Sequence, residues 1–320
     1  MKRIAVLTSG GDAPGMNAAI RAVVRTARYH DIEVYGVERG YAGLIEGDMR
    51  LLSRHDVSDI IQRGGTVLRT ARSQEFTTPE GRKAAAKALA DKGIEGLVVI
   101  GGDGSFRGAN AFYKECGIQT VGVPGTIDND LGYTDRTIGF DTAVNTVLAA
   151  INNLRDTMSS HDRVVIVEVM GRHCGAIALH AGIAGGAEVI LLPEIKIDYD
   201  EVAAVLDRGN AVGKKSGIVV VAEGAAPIAE VESELKSRTD LSFRTTVLGY
   251  IQRGGSPTME DRVLASKLGI RAVELLRDDV GGVVVGVKGG AVVDMPIEEA
   301  LSLPVHFDSE LYEQAKILSL

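Results

Sequence analysis

Short apolar runs rich in β-branched residues alternate with amphipathic segments along the whole chain. Such runs suit strands buried on both faces, and the segments between them suit helices packed on those strands. The pattern predicts strands at 2–7, 33–37, 97–100, 120–123, 163–170, 189–193, 217–222, 244–248 and 283–287. It predicts helices at about 16–28, 57–62, 80–92, 105–116, 141–155, 175–185, 200–207, 261–277 and 312–318. This alternation favours an α/β fold of mainly parallel sheets flanked by helices.

The length of the chain bears on the number of domains. At 320 residues it exceeds the usual size of one compact core, so we expect two lobes. No glycine- or proline-rich stretch separates two halves, which predicts lobes that share a close interface. A cleft between two such lobes is a common place for a binding site.

Composition and charge narrow the class of protein. With 45% hydrophobic and 24% charged residues the chain is typical of a globular protein, and we expect no signal peptide or membrane-spanning helix. The formal net charge of −8 argues against nonspecific binding to nucleic acids or membranes. Cys116 and Cys174 lack metal-ligand spacing, which makes the reduced cytoplasm the expected compartment. Because the net charge is negative, any site that binds an anion must be formed by arginine and lysine side chains clustered at that site.

The candidate chemistry centres on residues 97–105, LVVIGGDGS. The apolar run ends at Gly101 and Gly102, where a backbone without Cβ atoms turns sharply or approaches a ligand. Asp103 follows at the carboxyl end of the strand, where a carboxylate can hold Mg²⁺ on nucleotide phosphates. Ser105 is expected to cap the next helix, whose amides would face the same phosphates. A plain strand–turn–helix is the competing interpretation of these residues alone.

A second glycine-rich turn, TSGGDAPG at 8–15, follows the first predicted strand. It is of the phosphate-cradling sort but matches neither the Walker nor the dinucleotide pattern. The helix after it carries Arg21, Arg25 and Arg28 at spacings of four and three, so these side chains share one face. That stripe is either an ordinary solvated face or, in a chain of negative net charge, an anion-binding surface.

Two carboxylates lie close together in the loop PGTIDND at 124–130. Asp128 and Asp130 placed side by side would disturb each other's pKa, which is one way to tune a general base. An Asx-rich turn is the plain alternative. Because the loop is expected at the same sheet edge as Asp103, a functional role is the favoured hypothesis.

Five motifs together resemble the bacterial 6-phosphofructokinase family: TSGGDAPGMN at 8–17, GGDGS at 101–105, PGTIDND at 124–130, MGRHCG at 170–175 and QRGGSP at 252–257. The resemblance covers essentially the whole chain, with the motifs in order. It implies two Rossmann-like lobes with the active site in the cleft between them. The larger, ATP-binding lobe would be 1–139 plus 252–303, and the smaller, sugar-phosphate-binding lobe 140–251 plus 304–320.

The resemblance implies a glycolytic kinase that transfers the γ-phosphoryl group of ATP to the C1 hydroxyl of fructose 6-phosphate. Asp128 would accept the proton of that hydroxyl, in a catalytic set of Thr126, Asp128, Arg172 and Arg72. ATP would be held by Gly11, Arg72, Ser73, Gly102, Asp103, Gly104 and Ser105, with Asp103 on Mg²⁺. The sugar phosphate would contact Thr126, Ile127, Asp128, Arg163, Met170, Gly171, Arg172, Glu223, Arg244, Tyr250, Ile251, Gln252 and Arg253. Arg163 and Arg244 would come from a neighbouring subunit of the homotetramer that is usual in that family.

The resemblance also implies an effector site at a subunit interface, with ADP or GDP as activator and phosphoenolpyruvate as inhibitor. Its residues would be Arg21, Arg25, Arg54, Arg155, Gly186, Ala187, Glu188, Lys214, Lys215 and Ser216. Val212 stands where a basic residue is common and Ser216 where histidine is usual, which weakens this expectation.

Tyr250 replaces the usual histidine beside the sugar 6-phosphate. A phenol carries no positive charge, so we expect weaker or less pH-sensitive binding of fructose 6-phosphate.

Two glycines bear on the phosphoryl donor. The similar pyrophosphate-dependent enzymes carry Asp at the position of Gly104 and Lys at that of Gly125, so this sequence favours ATP. The alternatives are a related kinase that uses pyrophosphate or another sugar phosphate, and a catalytically silent nucleotide sensor of the same fold. The joint presence of Asp103, Asp128, Arg72 and Arg172 argues against the sensor.

Overall fold

The computed structural model describes residues 1–214 and 216–319 and divides into two compact units. Unit 1 comprises residues 1–127, 131–142 and 253–304, and unit 2 comprises 128–130, 143–252 and 305–320. The lobe boundaries and binding roles drawn from the family resemblance stay predictions. No helix formed by the described residues is long and apolar enough to cross a membrane.

Strands and helices alternate along most of the described chain. The strands are β1 (Arg3–Thr8), β2 (Glu33–Val37), β3 (Met49–Leu52), β4 (Gly96–Gly101), β5 (Gln119–Pro124), β6 (Val164–Val169), β7 (Val189–Leu191), β8 (Gly217–Ala222), β9 (Phe243–Val247), β10 (Val283–Lys288) and β11 (Ala291–Pro296). The helices are α1 (Met16–Tyr29), α2 (Gly40–Glu46), α3 (Pro79–Asp91), α4 (Asp103–Cys116), α5 (Phe140–Ser159), α6 (Ala176–Ala184), α7 (Tyr199–Ala211), α8 (Ile228–Lys236), α9 (Met259–Arg277), α10 (Ile297–Ser302) and α11 (Ser309–Leu318). Short 3-10 helices lie at Glu75–Thr77 and Gly249–Arg253.

The sheet of unit 1 has seven strands in the order β11-β10-β5-β4-β1-β2-β3. The five inner strands run parallel, and the edge strands β3 and β11 are antiparallel to their neighbours. β4 is buried along its whole length because helices cover both faces of the sheet. Since β1, β4 and β5 are adjacent and parallel, the loops that follow them meet at one edge.

The sheet of unit 2 has four strands in the order β7-β8-β6-β9, all parallel. Its core contains Val164, Ile166, Val219, Val221 and Phe243. The carboxyl ends of β6 and β8 are neighbours, and β9 is an edge strand. The predicted α/β class with mainly parallel sheets is confirmed in both units.

The structure corrects the sequence prediction at several elements. Residues 57–62 form turns instead of a helix, and Asp59 adopts a left-handed φ of 54° that a helix excludes. The sequence pattern also missed five elements: α2, β3, α8, β11 and α10. The two strands among them are short or half-exposed edge strands, which lack the continuous apolar run of a buried strand.

Candidate active site

The loops after β1, β4 and β5 pack closely at the edge of the unit 1 sheet. The Ser9 amide donates to the Ile100 carbonyl at 2.9 Å, and the Gly125 amide donates to the Gly101 carbonyl at 2.9 Å. A Cβ at Gly101 would lie 2.6 Å from both the Ser9 carbonyl oxygen and Ser105 Oγ, so this close approach requires glycine. A Cβ at Gly102 would lie 3.8 Å from Thr126 Cβ. The predicted loops therefore do come together.

Helix α4 begins at this edge, two residues earlier than predicted. Its N-cap is Gly102, Asp103 is its first residue, and Ser105 lies inside the first turn, so Ser105 is not the cap. The cap position provides no side-chain hydrogen bond, which leaves first-turn amides without an intrahelical partner. A Cβ at Gly104 would meet no atom within 4 Å. Open space with unpaired amides and the positive end of a helix suits a phosphate.

Asp103 lies in that first turn, where the helix dipole stabilises a carboxylate. Its side chain is 43% exposed, and Oδ2 lies 3.7 Å from Arg107 Nε. Within the ranges that the structure describes, no group of three or more histidine, cysteine, aspartate or glutamate side chains forms a metal site. Asp103 offers a carboxylate to a hard cation, and a bound phosphate would supply further oxygen ligands.

A long loop before α3 is fastened to the carboxyl end of β1. Thr8 Oγ1 donates to the Arg69 carbonyl at 2.8 Å, and Thr70 Oγ1 donates to the Gly10 carbonyl at 2.8 Å. These bonds place the exposed Arg72 two residues beyond an anchor on the glycine-rich turn. Ser73 follows, and its Oγ accepts from the Phe76 amide at 3.2 Å. The structure thus brings Arg72 and Ser73 to the same part of unit 1 as Gly11.

Arg253 lies against Gly11, a contact that the sequence did not predict. A Cβ at Gly11 would lie 1.7 Å from Arg253 Nη1, so only glycine leaves room for the guanidinium. Arg253 Nε is buried and has no hydrogen-bond partner among the described residues. Gly11, which the family resemblance assigns to ATP, is therefore in contact with Arg253, which it assigns to the sugar phosphate.

In unit 2, Arg172 pairs with Asp128. Arg172 Nε lies 3.2 Å from Asp128 Oδ2, and Asp128 is only 2% exposed. Arg172 has a left-handed φ of 53° after Gly171 at 136°, so the chain turns sharply where β6 ends. The Arg172 amide donates to Glu223 Oε1 at 2.8 Å, and a Cβ at Gly224 would lie 1.9 Å from the Arg172 carbonyl oxygen.

Gln252 joins the 3-10 helix 249–253 to the turn that follows β6. Its Oε1 accepts from the Met170 amide at 3.1 Å, and its Nε2 donates to the Gly249 carbonyl at 3.0 Å. Gln252 is fully buried, whereas Tyr250 is 83% exposed and Ile251 is exposed. Met170, Gly171, Arg172, Glu223 and Gln252 are therefore gathered at the carboxyl ends of β6 and β8.

Arg163 and Arg244 lie at the opposite edge of that sheet. Arg163 immediately precedes β6, and Arg244 pairs in register with Val165 near the start of β6. The six residues of β6 span about 20 Å, so neither arginine belongs to the group at its carboxyl end within one chain.

The predicted effector residues of unit 2 form a compact polar group. Arg155 Nη2 donates to the carbonyls of Gly185 at 2.6 Å and Gly186 at 2.7 Å. Glu188, 8% exposed, accepts from the Ile218 amide and pairs with Lys214 at 2.5 Å and Arg155 at 4.0 Å. Ala187 is buried beside Glu188, and Ser216 precedes β8. The predicted Lys215 lies outside the described residues.

The predicted effector residues of unit 1 lie on α1 and in one turn. Arg21 and Arg25 share a face of α1, and burial together with the nearby Arg25 charge lowers the pKa of Arg21. Arg54 lies in the turn 53–56, where Asp56 Oδ2 accepts from the Ser53 amide at 2.8 Å. Because neighbouring positive charges on α1 repel each other, an anion bound between them would be favourable.

Two further contacts, made by Cys174 and Glu194, were not predicted from the sequence. Cys174 Sγ lies 3.8 Å from the Asn129 carbonyl, and burial is the main cause that raises the pKa of this thiol to about 11. The thiol is therefore neutral near pH 7 and is not activated as a nucleophile. Glu194 Oε1 accepts from the Gly175 amide at 2.8 Å. Neither contact has a sequence signal, because both partners are far apart along the chain.

The chain matches known proteins along most of its length. The family model described as "Phosphofructokinase" matches residues 3–276. The chain is 58% identical to the ATP-dependent 6-phosphofructokinase of Clostridium tetani and 57% identical to that of Clostridioides difficile, over 100% of both chains in each case.

Solved structures show the same fold. A phosphofructokinase from Saccharomyces cerevisiae matches with a TM-score of 0.94 and 36% identity over 98% of this chain and 50% of the yeast chain. This chain thus spans half the length of that yeast chain. A pyrophosphate-dependent phosphofructokinase from Marinobacter aquaeolei matches with a TM-score of 0.83 at 23% identity, over 99% of this chain and 92% of that one, which shows similarity of fold.

Proposed function

This chain belongs to the phosphofructokinase family, a family of glycolytic kinases, and on that premise we propose that it phosphorylates the C1 hydroxyl of fructose 6-phosphate with ATP. The products are fructose 1,6-bisphosphate and ADP. Curated relatives 57–58% identical over their full length carry the name ATP-dependent 6-phosphofructokinase. The observation that carries the proposal is the buried Asp128 carboxylate, which pairs with Arg172 at 3.2 Å.

Asp128 acts as the general base in this proposal. It accepts the proton of the C1 hydroxyl as that oxygen attacks the γ-phosphorus of ATP, and the bond to the β-phosphate oxygen breaks. Arg172 holds the carboxylate in place from one side. The remaining donors of its half-exposed guanidinium stabilise negative charge on the transferring phosphoryl group, with Thr126 and Arg72 assisting.

The nucleotide is held by unit 1. The first turn of α4, from Gly102 to Ser105, offers its amides to the phosphates, and Gly104 leaves open space for them. Gly11, Arg72 and Ser73 complete this site. The donor is ATP, because Gly104 adds no carboxylate and Gly125 adds no lysine near the phosphates.

The donor set at α4 fits magnesium. Asp103 presents a partly exposed carboxylate, the ligand type that Mg²⁺ prefers, and would hold the ion against the phosphates of the nucleotide. When bound, the ion neutralises charge on the β- and γ-phosphates. Asp103 is thus the residue of this chain that holds the metal–nucleotide complex.

The sugar phosphate is held by the residues gathered in unit 2, together with Ile127, Tyr250, Ile251 and Arg253. Met170, Gly171 and Glu223 lie beside Arg172 at the ends of β6 and β8. Arg163 and Arg244 lie at the far end of β6, so they serve a neighbouring subunit's site. The proposal therefore includes a homotetramer, and its setting is the cytoplasm.

Regulation belongs to the proposal as well. The cationic groups of Arg21, Arg25, Arg54, Arg155 and Lys214 would contribute, at an interface between subunits, to an anion site for ADP or GDP as activator and phosphoenolpyruvate as inhibitor. Such effectors act by binding two assembly states unequally.

Steady-state kinetics test the proposal. Fructose 6-phosphate is varied with MgATP or Mg-pyrophosphate as donor, with and without ADP or phosphoenolpyruvate, and light scattering gives the molar mass. We expect turnover with ATP, none with pyrophosphate, sigmoidal curves shifted by both effectors, and a tetramer. Hyperbolic curves that do not respond to effectors would overturn the proposed regulation. A lack of turnover with either donor would overturn the proposed kinase activity.

A further inference from the structure

The 171–175 turn contains one residue, Arg172, in an unfavourable backbone conformation. Gly171 has a φ of 136° and Arg172 a φ of 53°, and a left-handed arginine persists only where its surroundings hold it. The Cys174 amide donates to the Gly171 carbonyl at 2.9 Å, which closes the turn. Outside contacts must therefore keep this turn in place.

One such contact is made at the end of the turn by Glu194, from the segment after β7. Gly175 is the N-cap of α6, and its amide donates to Glu194 Oε1 at 2.8 Å. No side chain of the cap residue performs this role, because glycine has none. A Cβ at Gly175 would lie 2.7 Å from Glu194 Oε2, so glycine is needed for the carboxylate to fit. A carboxylate at a helix N-terminus is electrostatically favourable.

The other side of the turn faces the loop 128–130. Arg172 Nε lies 3.2 Å from Asp128 Oδ2, and Cys174 Sγ lies 3.8 Å from the Asn129 carbonyl. The carboxylates of Glu194, Asp130 and Asp128 all act on the Cys174 thiol and raise its pKa, in addition to burial. The turn is thus held between Glu194 on one side and the Asp128 loop on the other.

We propose that Glu194 is a positioning residue for phosphoryl transfer: it fixes the 171–175 turn at Gly175 and thereby holds Arg172 against Asp128. The proposal rests on the proposed function. Glu194 acts through the backbone of the turn and does not touch substrate. A displacement of about 1 Å in reacting groups can lower a rate by as much as 100-fold, so loss of this contact acts on kcat.

Three variants test this role. Glu194→Ala removes the acceptor, Glu194→Gln keeps an acceptor oxygen at the same distance, and Glu201→Gln changes another exposed carboxylate, in the first turn of α7. We expect Glu194→Ala to lower kcat about 10- to 100-fold with KM for MgATP within twofold of wild type. Glu194→Gln is expected to stay within threefold of the wild-type kcat, and Glu201→Gln to match wild type. Since Glu194 is exposed, its loss opens no cavity in the core.

Hydrogen exchange read by mass spectrometry gives a second readout that needs no turnover. Glu194→Ala is expected to speed amide exchange in peptides that contain 171–178, and Glu194→Gln to leave it unchanged. An unaltered kcat and unaltered exchange in Glu194→Ala would overturn the proposal, as would equal losses in the Ala and Gln variants. If wild type and Glu201→Gln both lack turnover, the kinase proposal fails, and the exchange result alone decides whether Glu194 holds the turn.

Discussion

The Arg253 guanidinium occupies the space that a side chain on Gly11 would need: Nη1 lies 1.7 Å from the position of a Cβ on Gly11. Gly11 lies in the turn after β1, and Arg253 ends the 3-10 helix 249–253. Its Nε is buried without a hydrogen-bond partner among the described residues, and a buried unpaired donor is costly. A ligand that accepts a hydrogen bond from Arg253 would remove that cost.

Gly11→Ala should therefore change substrate binding more than stability. The methyl group displaces the flexible end of Arg253, and one charge-assisted hydrogen bond to the sugar phosphate is worth about 1.5–3 kcal/mol. We expect KM for fructose 6-phosphate to rise at least tenfold, with little change in the free energy of unfolding. Gly209→Ala is the control, because a Cβ there meets no atom within 4 Å and the residue lies in α7. An unchanged KM in Gly11→Ala would show that the guanidinium position does not matter.

The two glycines that bear on the donor differ in the space around them. A Cβ at Gly104 meets nothing within 4 Å, whereas a Cβ at Gly125 would lie 2.9 Å from Ile100 Cγ2 and 3.3 Å from Met16 Cε. We expect Gly104→Asp to fold normally and raise KM for ATP, because its carboxylate repels phosphates. Gly125→Lys should lose about 1–3 kcal/mol of stability through overpacking. Thermal unfolding and ATP kinetics check both, and a Gly125→Lys variant as stable as wild type would contradict the packing argument.

The sequence predicted the parallel strands and the strand-end loops well, for a physical reason. Buried strands such as β4 are continuous apolar runs, and Gly101, Gly102 and Asp103 follow where a ligand-binding edge needs them. The edge strands β3 and β11 were missed because half-exposed strands mix polar and apolar residues. The cap assigned to Ser105 was wrong because β4 ends at Gly101 and Gly102, which has no side chain, is the N-cap of α4.

Contacts between distant segments could not be predicted from local patterns. Arg253 against Gly11, and Glu194 at Gly175, join residues that only the folded backbone brings together. The separation of Arg163 from Met170 follows directly from their places at opposite ends of β6. The family resemblance named these residues, but the local patterns gave no distances between them.

Tyr250 gives a prediction on pH dependence. It is 83% exposed, so Tyr250→His should leave the free energy of unfolding unchanged. A histidine is protonated below about pH 6.5 and then attracts the sugar phosphate, which a phenol does not. We expect Tyr250→His to lower KM for fructose 6-phosphate at pH 6 and to lose most of this effect by pH 8. Tyr29→His, at another exposed tyrosine, is the control, and a KM that is equal in wild type and Tyr250→His at both pH values would refute the idea.

The turn that carries Arg54 is stabilised by Asp56. Hydrogen bonds from the Ser53 hydroxyl and amide, and the Arg50 guanidinium, lower the pKa of Asp56 to about 2. Because the folded-state pKa lies below the ordinary 3.8, this carboxylate adds stability above about pH 4 and loses that contribution as the pH falls towards 2.

Asp56→Asn should therefore destabilise the protein at neutral pH, and the difference from wild type should shrink between pH 4 and pH 3. Since Asp56 is exposed, we expect a difference of about 1 kcal/mol or less at pH 7. Urea unfolding at several pH values measures it, and Ser53→Ala should fall between the two proteins. A difference that grows as the pH falls would contradict the sign of this effect.

The central claim, that Asp128 is the general base of an ATP-dependent phosphofructokinase reaction, is tested most directly by kcat of Asp128→Asn with fructose 6-phosphate and MgATP. Asparagine keeps the size of the side chain and cannot accept the proton. We expect Asp128→Asn to lose about 10²- to 10⁴-fold in kcat with both KM values little changed, and wild type to release ADP. A variant that turns over at the wild-type rate, or a wild-type protein without ATP-dependent turnover, would contradict it.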